Sequence, residues 1–509
     1  MKNPRGISQG RGPDRWSTWV PAIAAVIASM SCLSFQPDDL FIYLRMVENI
    51  LTGGGWGFNP SSPVDAASSG LWLLVLTGLG AMGLDGPFWA QMASAVAWVL
   101  AIAGAARLAT DLAGDRWAGW AAGLALAGDA WVGRWLWSGM ETGLAVAVVC
   151  WAALLRCETI RGSLLDRLGS LLLVLAPLVR PELALWTASA VVVELVGAGR
   201  HGWKRVRGDL VSGVFVAAGW GGWTWLTWGC LLPSTVTAKG SLGAANIGMS
   251  SAAGRVVSVL ASTQLPAMLM AATAAWTWAR EPEGLSERAP GRRSVTLSIL
   301  LLAVVLTSVY AGRHVKVYTR YVLPLTALVV ALGMARAVHL ARGFSSGRGH
   351  RLWGGVLALT LVGNLALSTL IVVPKTRSYA RSMKEVVFPL ARRLGKMTGP
   401  GDVIATPNIG AMGYLSRRSI LDLNGLVTPE IIPYKREGRI ADYLLAHPPA
   451  LLVEIQPRPF TFEETDLAPL LERLDVQRFD GMFVRGPDPM YLTVYRVRAA
   501  GAGSRESNP

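Results

Sequence analysis

The chain has 509 residues, of which 52% are hydrophobic and only 16% charged, whereas a soluble protein carries about a quarter charged residues. Its net charge of +15 is scattered over short loops between apolar blocks. That pattern argues against a nucleic-acid-binding protein and for a polytopic membrane protein with basic cytoplasmic loops. The cysteines Cys32, Cys150, Cys157 and Cys230 lie in or beside apolar segments without metal-ligand spacing, so no disulfide framework is expected.

Twelve apolar segments are predicted, near residues 16–35, 71–84, 88–106, 117–131, 143–156, 166–179, 183–199, 209–231, 256–279, 295–311, 321–342 and 352–373. Lys2, Arg5, Arg11 and Arg15 before the first give it the look of a signal peptide. The run Trp16–Phe35 is long, however, and no small-x-small site follows, so an uncleaved first helix is expected. Arginines and lysines cluster in the loops around 156–167, 200–207, 280–293 and 336–351. With the basic N-terminus these are five cytoplasmic candidates, which puts the N-terminus inside and the C-terminus outside the inner (cytoplasmic) membrane. Such a topology needs an odd number of crossings. Hence one of the short segments between 71 and 142 is a half-helix or a span is hidden there, and about 11–13 transmembrane helices are expected.

From residue 375 charge and proline rise, and strand-like runs such as "VIAT", "SILDL" and "LLVEI" alternate with helix-like ones. The fold class is therefore a polytopic α-helical membrane domain over 1–374, with a first outer loop at 36–70, followed by an extracytoplasmic α/β domain over 375–500 and a disordered tail over 501–509.

The loops assigned to the outside carry the polar motifs. Asp38 and Asp39 stand in "FQPDDLFIYLR", Glu141 in "WSGMET", and Arg180 and Glu182 in "VRPE". Lys239 stands in "LLPSTVTAKG", and His314, Lys316, Arg320 and Tyr321 in "GRHVKVYTRY". Carboxylates and cations gathered beside lipid suit an anionic, lipid-attached substrate: the cations hold a phosphate and a carboxylate takes the proton of an attacking hydroxyl. Each motif also has a plainer reading. The aspartates cap a helix, Glu141 and Glu182 pair with Arg134 or Arg180, Lys239 and Arg320 snorkel to the interface, and His314 is a surface residue without metal-spaced partners. The "GGGW" run lacks the GK[ST] of a phosphate loop. Of the 21 tryptophans, Trp56, Trp72 and Trp137 flank the polar motifs, where they either belong to interfacial belts or stack on a sugar or prenyl chain.

Taken in order, "PDDLFIYLRMVENILTGGGWGFNP", "DAASSGLW", "SGMET", "RPE", "PSTVTAK", the "RY" and "LPL" around Arg320, and "GAMGYLSRRSILDLNGL" resemble the GT-C superfamily of membrane glycosyltransferases. The nearest branch is that of the arabinofuranosyltransferase-like enzymes, with protein O-mannosyltransferases and lipid A aminoarabinose transferases as more distant cousins. The resemblance runs from about residue 36 to 430. It implies inverting transfer of a sugar from a polyprenyl-phosphate carrier to an acceptor outside the cytoplasm, whether glycan, lipid or protein. It implies Asp38 as catalytic base with Asp39 as second carboxylate, and Glu141 and Glu182 as acidic positions near the site. Arg180, Lys239 and Arg320 would contact the carrier phosphate, and Tyr414, Asp422 and Asn424 would face the acceptor. No cofactor is required, although a divalent metal on the aspartate pair is compatible with this chemistry. Two positions depart from the pattern: Ser69 and Gly70 precede Trp72 where Asn or His and then Pro are usual, and Ser234 replaces a common Asn. They bear on sugar and acceptor identity.

Two other classes stay open. A transporter or flippase for a lipid-linked glycan would carry ionisable groups near the membrane midplane, often in inverted repeats. A non-catalytic glycan-binding scaffold would tolerate loss of the outer charges.

Overall fold

The computed structural model describes residues 15–498 apart from 61, 63, 158–162, 198, 232–248, 281–289, 315, 345 and 482–488. Each of the twelve apolar segments contains a helix. In chain order these are α1 (Arg15–Ala28), α2 (Asp38–Leu51), α3 (Gly70–Ala81), α4 (Gly86–Ala113), α5 (Arg116–Ala127), α6 (Ala130–Leu136), α7 (Thr142–Cys157), α8 (Leu164–Val179), α9 (Ala184–Gly197), α10 (Gly199–Trp228), α11 (Met249–Arg280), α12 (Pro290–Gly312), α13 (Thr319–Ala341) and α14 (Ser346–Leu367). Among the described residues, five stretches are long and apolar enough to cross a membrane: Gly86–Ala113, Ser250–Ala274, Gly291–Gly312, Thr319–Ala341 and the run Arg348–Met397. The chain is a multi-pass membrane protein.

Two of the segments between 71 and 142 hold short helices. Helix α3 has 12 residues, about 18 Å of helix, well short of a ~30 Å hydrocarbon core. Helix α5 is equally short, but α6 continues it after a break at Asp129. There Asp129 Oδ1 accepts the amides of Trp131 and Val132 at 2.8 and 3.0 Å, and Oδ2 accepts Gln264 Nε2 at 2.8 Å. Gln264 itself sits at a kink of α11, with φ −131° and Pro266 two residues on. One break thus satisfies another.

Helix α13 is the axis of the bundle. It is buried along nearly its whole length and touches α4, α5, α7, α11, α12 and α14. Small residues allow the crowding: a Cβ on Gly333 would collide with the carbonyl oxygen of Ala267 on α11.

The basic loops converge at one end of the bundle. Arg156 binds Asp209 at 2.9 Å, and Arg205 binds Glu194 at 3.0 Å and also Asp166, all with side chains less than a tenth exposed. Beside them Arg292 pairs with Asp111 and Arg342 with Asp115, both at 3.1 Å.

Beyond α14 the chain enters the C-terminal domain without a linker. A π-turn at Ser368–Val372, helix α15 (Val373–Ser382), a second π-turn at Met383–Val387 and helix α16 (Phe388–Met397) follow end to end. Pro374 and Pro389 each stand two residues past the end of a π-turn, which absorbs the missing amide and the ring clash without ending the helix. The helical run therefore passes straight through residue 375. The domain that follows holds a five-stranded sheet in the order β2-β1-β3-β5-β4, with β1 Val403–Thr406, β2 Ser419–Asp422, β3 Leu451–Gln456, β4 Leu471–Phe479 and β5 Met490–Val497. Strand β1 runs parallel to β2 and β3, and β5 antiparallel to β3 and β4. The nearly continuous burial of β1 and β3 matches the apolar runs "VIAT" and "LLVEI". Helix α17 (Ile409–Ser416) connects β1 to β2 and packs on α2.

Candidate active site

The site builds up at the end of the bundle away from the Arg156–Arg205 cluster. Helix α13 presents Arg320 and Tyr321 in its first turn. A cation at a helix N-terminus opposes the helix dipole, so its placement needs compensation. Arg320 receives it from the Asp39 carboxylate and from the rings of Trp135 and Tyr321, whose centroids lie 5.3 and 5.5 Å from Cζ. Its Nε is buried and has no hydrogen-bond partner among the described residues.

Tyr321 links Arg320 to the second arginine. Arg180 caps the C-terminal end of α8, where the dipole favours it. Its Cζ stands 4.9 Å from the Tyr321 ring centroid. It donates to Glu141 Oε1 at 2.6 Å and, through Nε, to Glu182 Oε1 at 2.7 Å. Glu141 also accepts the hydroxyl of Tyr43 at 3.3 Å, and Tyr43 meets Ser68 Oγ at 3.1 Å. Glu141 is 1% exposed, so two donors on one buried carboxylate are what keep it tolerable. Here the plainer reading of Glu141 and Glu182 as partners of Arg180 holds, while Arg134 goes elsewhere, to Thr376 Oγ1 at 2.7 Å.

Asp38 and Asp39 open α2, and their side chains diverge. Asp39 turns to Arg320 with its side chain 44% exposed. The Asp38 carboxylate accepts the amides of Gly410 and Ala411, both at 2.9 Å, and its own amide donates to Tyr379 Oη at 3.1 Å. Burial pushes the Asp38 carboxyl up to about 6; the two amides pull against this, and the carboxylates of Asp39 and Asp422 add to it.

The remaining expected site residues are placed as follows. Lys239 lies outside the described residues, as do 499–509. Lys316 is exposed, with Nζ 5.7 Å from the Tyr318 ring centroid, and His314 turns the chain with φ 51° just ahead of it. Tyr414 packs its ring on Phe41 at 5.8 Å, inside the contact between α17 and α2. Asp422 is buried and accepts the amides of Asn424, Leu426 and Val427, so it shapes its own loop. Trp72 and Trp137 are buried and donate to Gly139 O and Ser29 Oγ, both at 3.0 Å, and Trp56 packs edge-on against Trp223. These rings are committed to the fold. No group of three His, Cys, Asp or Glu that could hold a metal occurs among the described residues.

Sequence reasoning missed Tyr43, Ser68, Trp135 and Tyr379. Tyr43 was findable, since it stands four residues after Asp39 on one helix face. The others reach the site only through tertiary contacts.

The fold is shared with solved membrane proteins. The chain superposes on ArnT from Cupriavidus metallidurans bound to undecaprenyl phosphate with a TM-score of 0.57 at 14% identity, covering 94% of this chain and 98% of that one. It superposes on the oligosaccharyltransferase AglB from Archaeoglobus fulgidus, in complex with an inhibitory peptide and a dolichol-phosphate, with a TM-score of 0.52 at 12% identity, covering 86% and 70%. In sequence it is 32% identical over 253 residues to the terminal β-(1→2)-arabinofuranosyltransferase of Mycobacterium tuberculosis, a match that spans 45% of this chain and 39% of that protein. Residues 377–494 match the profile of a domain of unknown function, DUF8728.

Proposed function

We propose that the chain is an inverting glycosyltransferase that moves a sugar from a polyprenyl-phosphate donor to a cell-envelope acceptor outside the inner membrane. The observation that carries the reading is the meeting of Asp39, the neighbour of Asp38 at the start of α2, with Arg320, across 281 residues of sequence, at one end of the bundle. The fold shared with ArnT and the sequence likeness to an arabinofuranosyltransferase support it.

In this scheme Asp38 takes the proton of the acceptor hydroxyl. The hydroxyl oxygen forms the new bond to the anomeric carbon as the bond to the phosphate oxygen breaks, and the electron pair leaves with the polyprenyl phosphate. A carboxyl raised to about 6 is charged at neutral pH yet a better proton acceptor than an ordinary aspartate. Its two bound amides occupy one acceptor direction on each oxygen and leave others for the hydroxyl. Arg320 stabilises the departing phosphate. Arg180, held between Glu141 and Glu182, fixes Tyr321 and through it Arg320. Lys239 and Lys316 are further cations for the carrier.

Full-length protein supplied with a short-chain prenyl-phosphoryl arabinofuranose tests this. Asp38→Asn is expected to lower transfer by at least about a hundredfold, and retained turnover removes Asp38 as the base. Asp39, more exposed but ion-paired to Arg320, is the competing base. In that case Asp39→Asn abolishes transfer and Asp38→Asn does not.

A further inference from the structure

The motif "GAMGY" has a task that acceptor binding does not explain. Helix α17 starts with Asn408 in the capping position, but Asn408 makes no side-chain cap. The free amides of the first turn, Gly410 and Ala411, are capped instead by Asp38, 372 residues away in sequence. Glycine is needed for the approach. A Cβ on Gly410 would collide with the carbonyl oxygen of Asp38 and stand 3.0 Å from its Cγ, and one on Gly413 would stand 2.5 Å from Phe58 Cζ. One face of α17 is thus stripped to backbone where it meets α2 and the first outer loop. The other side of Asp38 is held by Tyr379 on α15, so the C-terminal segment grips this residue by both its amide and its carboxylate.

We propose that Gly410 and Ala411 of the C-terminal domain are positioning residues for Asp38, so that the sugar-transfer site is complete only when that domain is docked. This rests on the reading of Asp38 as the base. Each amide donates to the charged form, and losing one makes the carboxylate harder to keep ionised.

The pH dependence of kcat/KM with the prenyl-phosphoryl arabinofuranose donor tests it in the full-length protein. Gly410→Ala, or Ala411→Pro where the first does not fold, is expected to move the acid limb up by about one pH unit and to lower kcat about a hundredfold, with the donor KM held. Proline is tolerated in the first turn of a helix and removes only the donor. Asn59→Ala, which removes a local contact between the 36–70 segment and strand β2 and leaves Asp38 and its two amides untouched, should leave the limb in place. An unmoved limb in the Gly410 and Ala411 variants overturns the proposal, and so does an equal shift in Asn59→Ala. In the unaltered protein, hydrogen-exchange protection of the Gly410 and Ala411 amides should titrate with that limb, and flat protection across it also overturns the proposal. Turnover retained by Asp38→Asn would instead sink the assignment of the base, which is a separable result.

Discussion

Asn59 closes the edge of the C-terminal sheet. Strand β2 is an edge strand, and the outward amide and carbonyl of Ile420 would face nothing in the sheet. The Asn59 side chain supplies both partners: Oδ1 accepts the Ile420 amide and Nδ2 donates to the Ile420 carbonyl, each at 2.8 Å. It stands in for one residue of a further strand. In Asn59→Ala two bonds worth about 0.5–1.5 kcal/mol each are lost. Ile420 is only 2% exposed, but Asn59 is partly open to water, so solvent can recover some of the deficit. The expected cost of opening at β2 is therefore about 2 kcal/mol, which is about thirtyfold in exchange protection. Native-state hydrogen exchange by mass spectrometry would read peptides covering 419–422, with β3 at 451–456 as the internal reference. Unchanged protection at β2 would show that the loop does not hold the domain. An equal loss at β3 would show that the domain opens as one body and that the edge pairing is not a local lock.

Two further outcomes follow from the charges. Arg205→Met leaves Asp166 and Glu194 short of a cation in a buried cluster of two arginines and three carboxylates. It should cost about 3–5 kcal/mol, read as a clear fall in thermal midpoint by tryptophan fluorescence in detergent; a wild-type midpoint would mean water reaches the cluster. The second concerns pH. Asp38 and Asp422 are raised to about 6 and Asp65, in the first outer loop, to about 7, each chiefly by burial. Between the unfolded value near 4 and these values the folded chain binds more protons than the unfolded one, so stability contributed by these groups falls as pH rises from about 4 to about 7 and is level above. Asp65→Asn should therefore raise the thermal midpoint at about pH 8 and change it little at about pH 4. An equal change at both pH values would contradict burial as the cause.

The bundle was legible because lipid leaves few choices. An apolar run beside bilayer must satisfy its own backbone, so each such run became helix. The ambiguous stretch between 71 and 142 was ambiguous for a physical reason: α3 is a partial helix, and the α5–α6 span is broken by a buried aspartate whose partner, Gln264, lies 135 residues on. Helix α2 was read only as the start of an outer loop. Leu40 through Val47 are all buried, because α2 is clasped between the bundle on one side and α17 on the other. That cover comes from elements far along the chain, which the residues of α2 do not show by themselves.

The site was legible as a set of residue types and not as a set of roles. Asp39, Glu141, Arg180, Glu182, Arg320 and Tyr321 form one connected chain of contacts, as charges forced beside lipid must. Which cation stays available to a phosphate depends on how the carboxylates are shared. Among the described residues Arg180 pairs with two of them and Arg320 with Asp39, and that division is made by the turn after α8 and the first turn of α13, elements 140 residues apart in sequence. Asp38 is the sharper case. Sequence places it next to Asp39 with the same chemistry. The structure separates the two by their partners: one meets a guanidinium and the other a pair of amides from a domain whose sequence, read alone, offers only a short glycine-spaced helix. The difference between a neutralised carboxylate and an oriented one is carried by Gly410, a residue defined by the side chain it lacks.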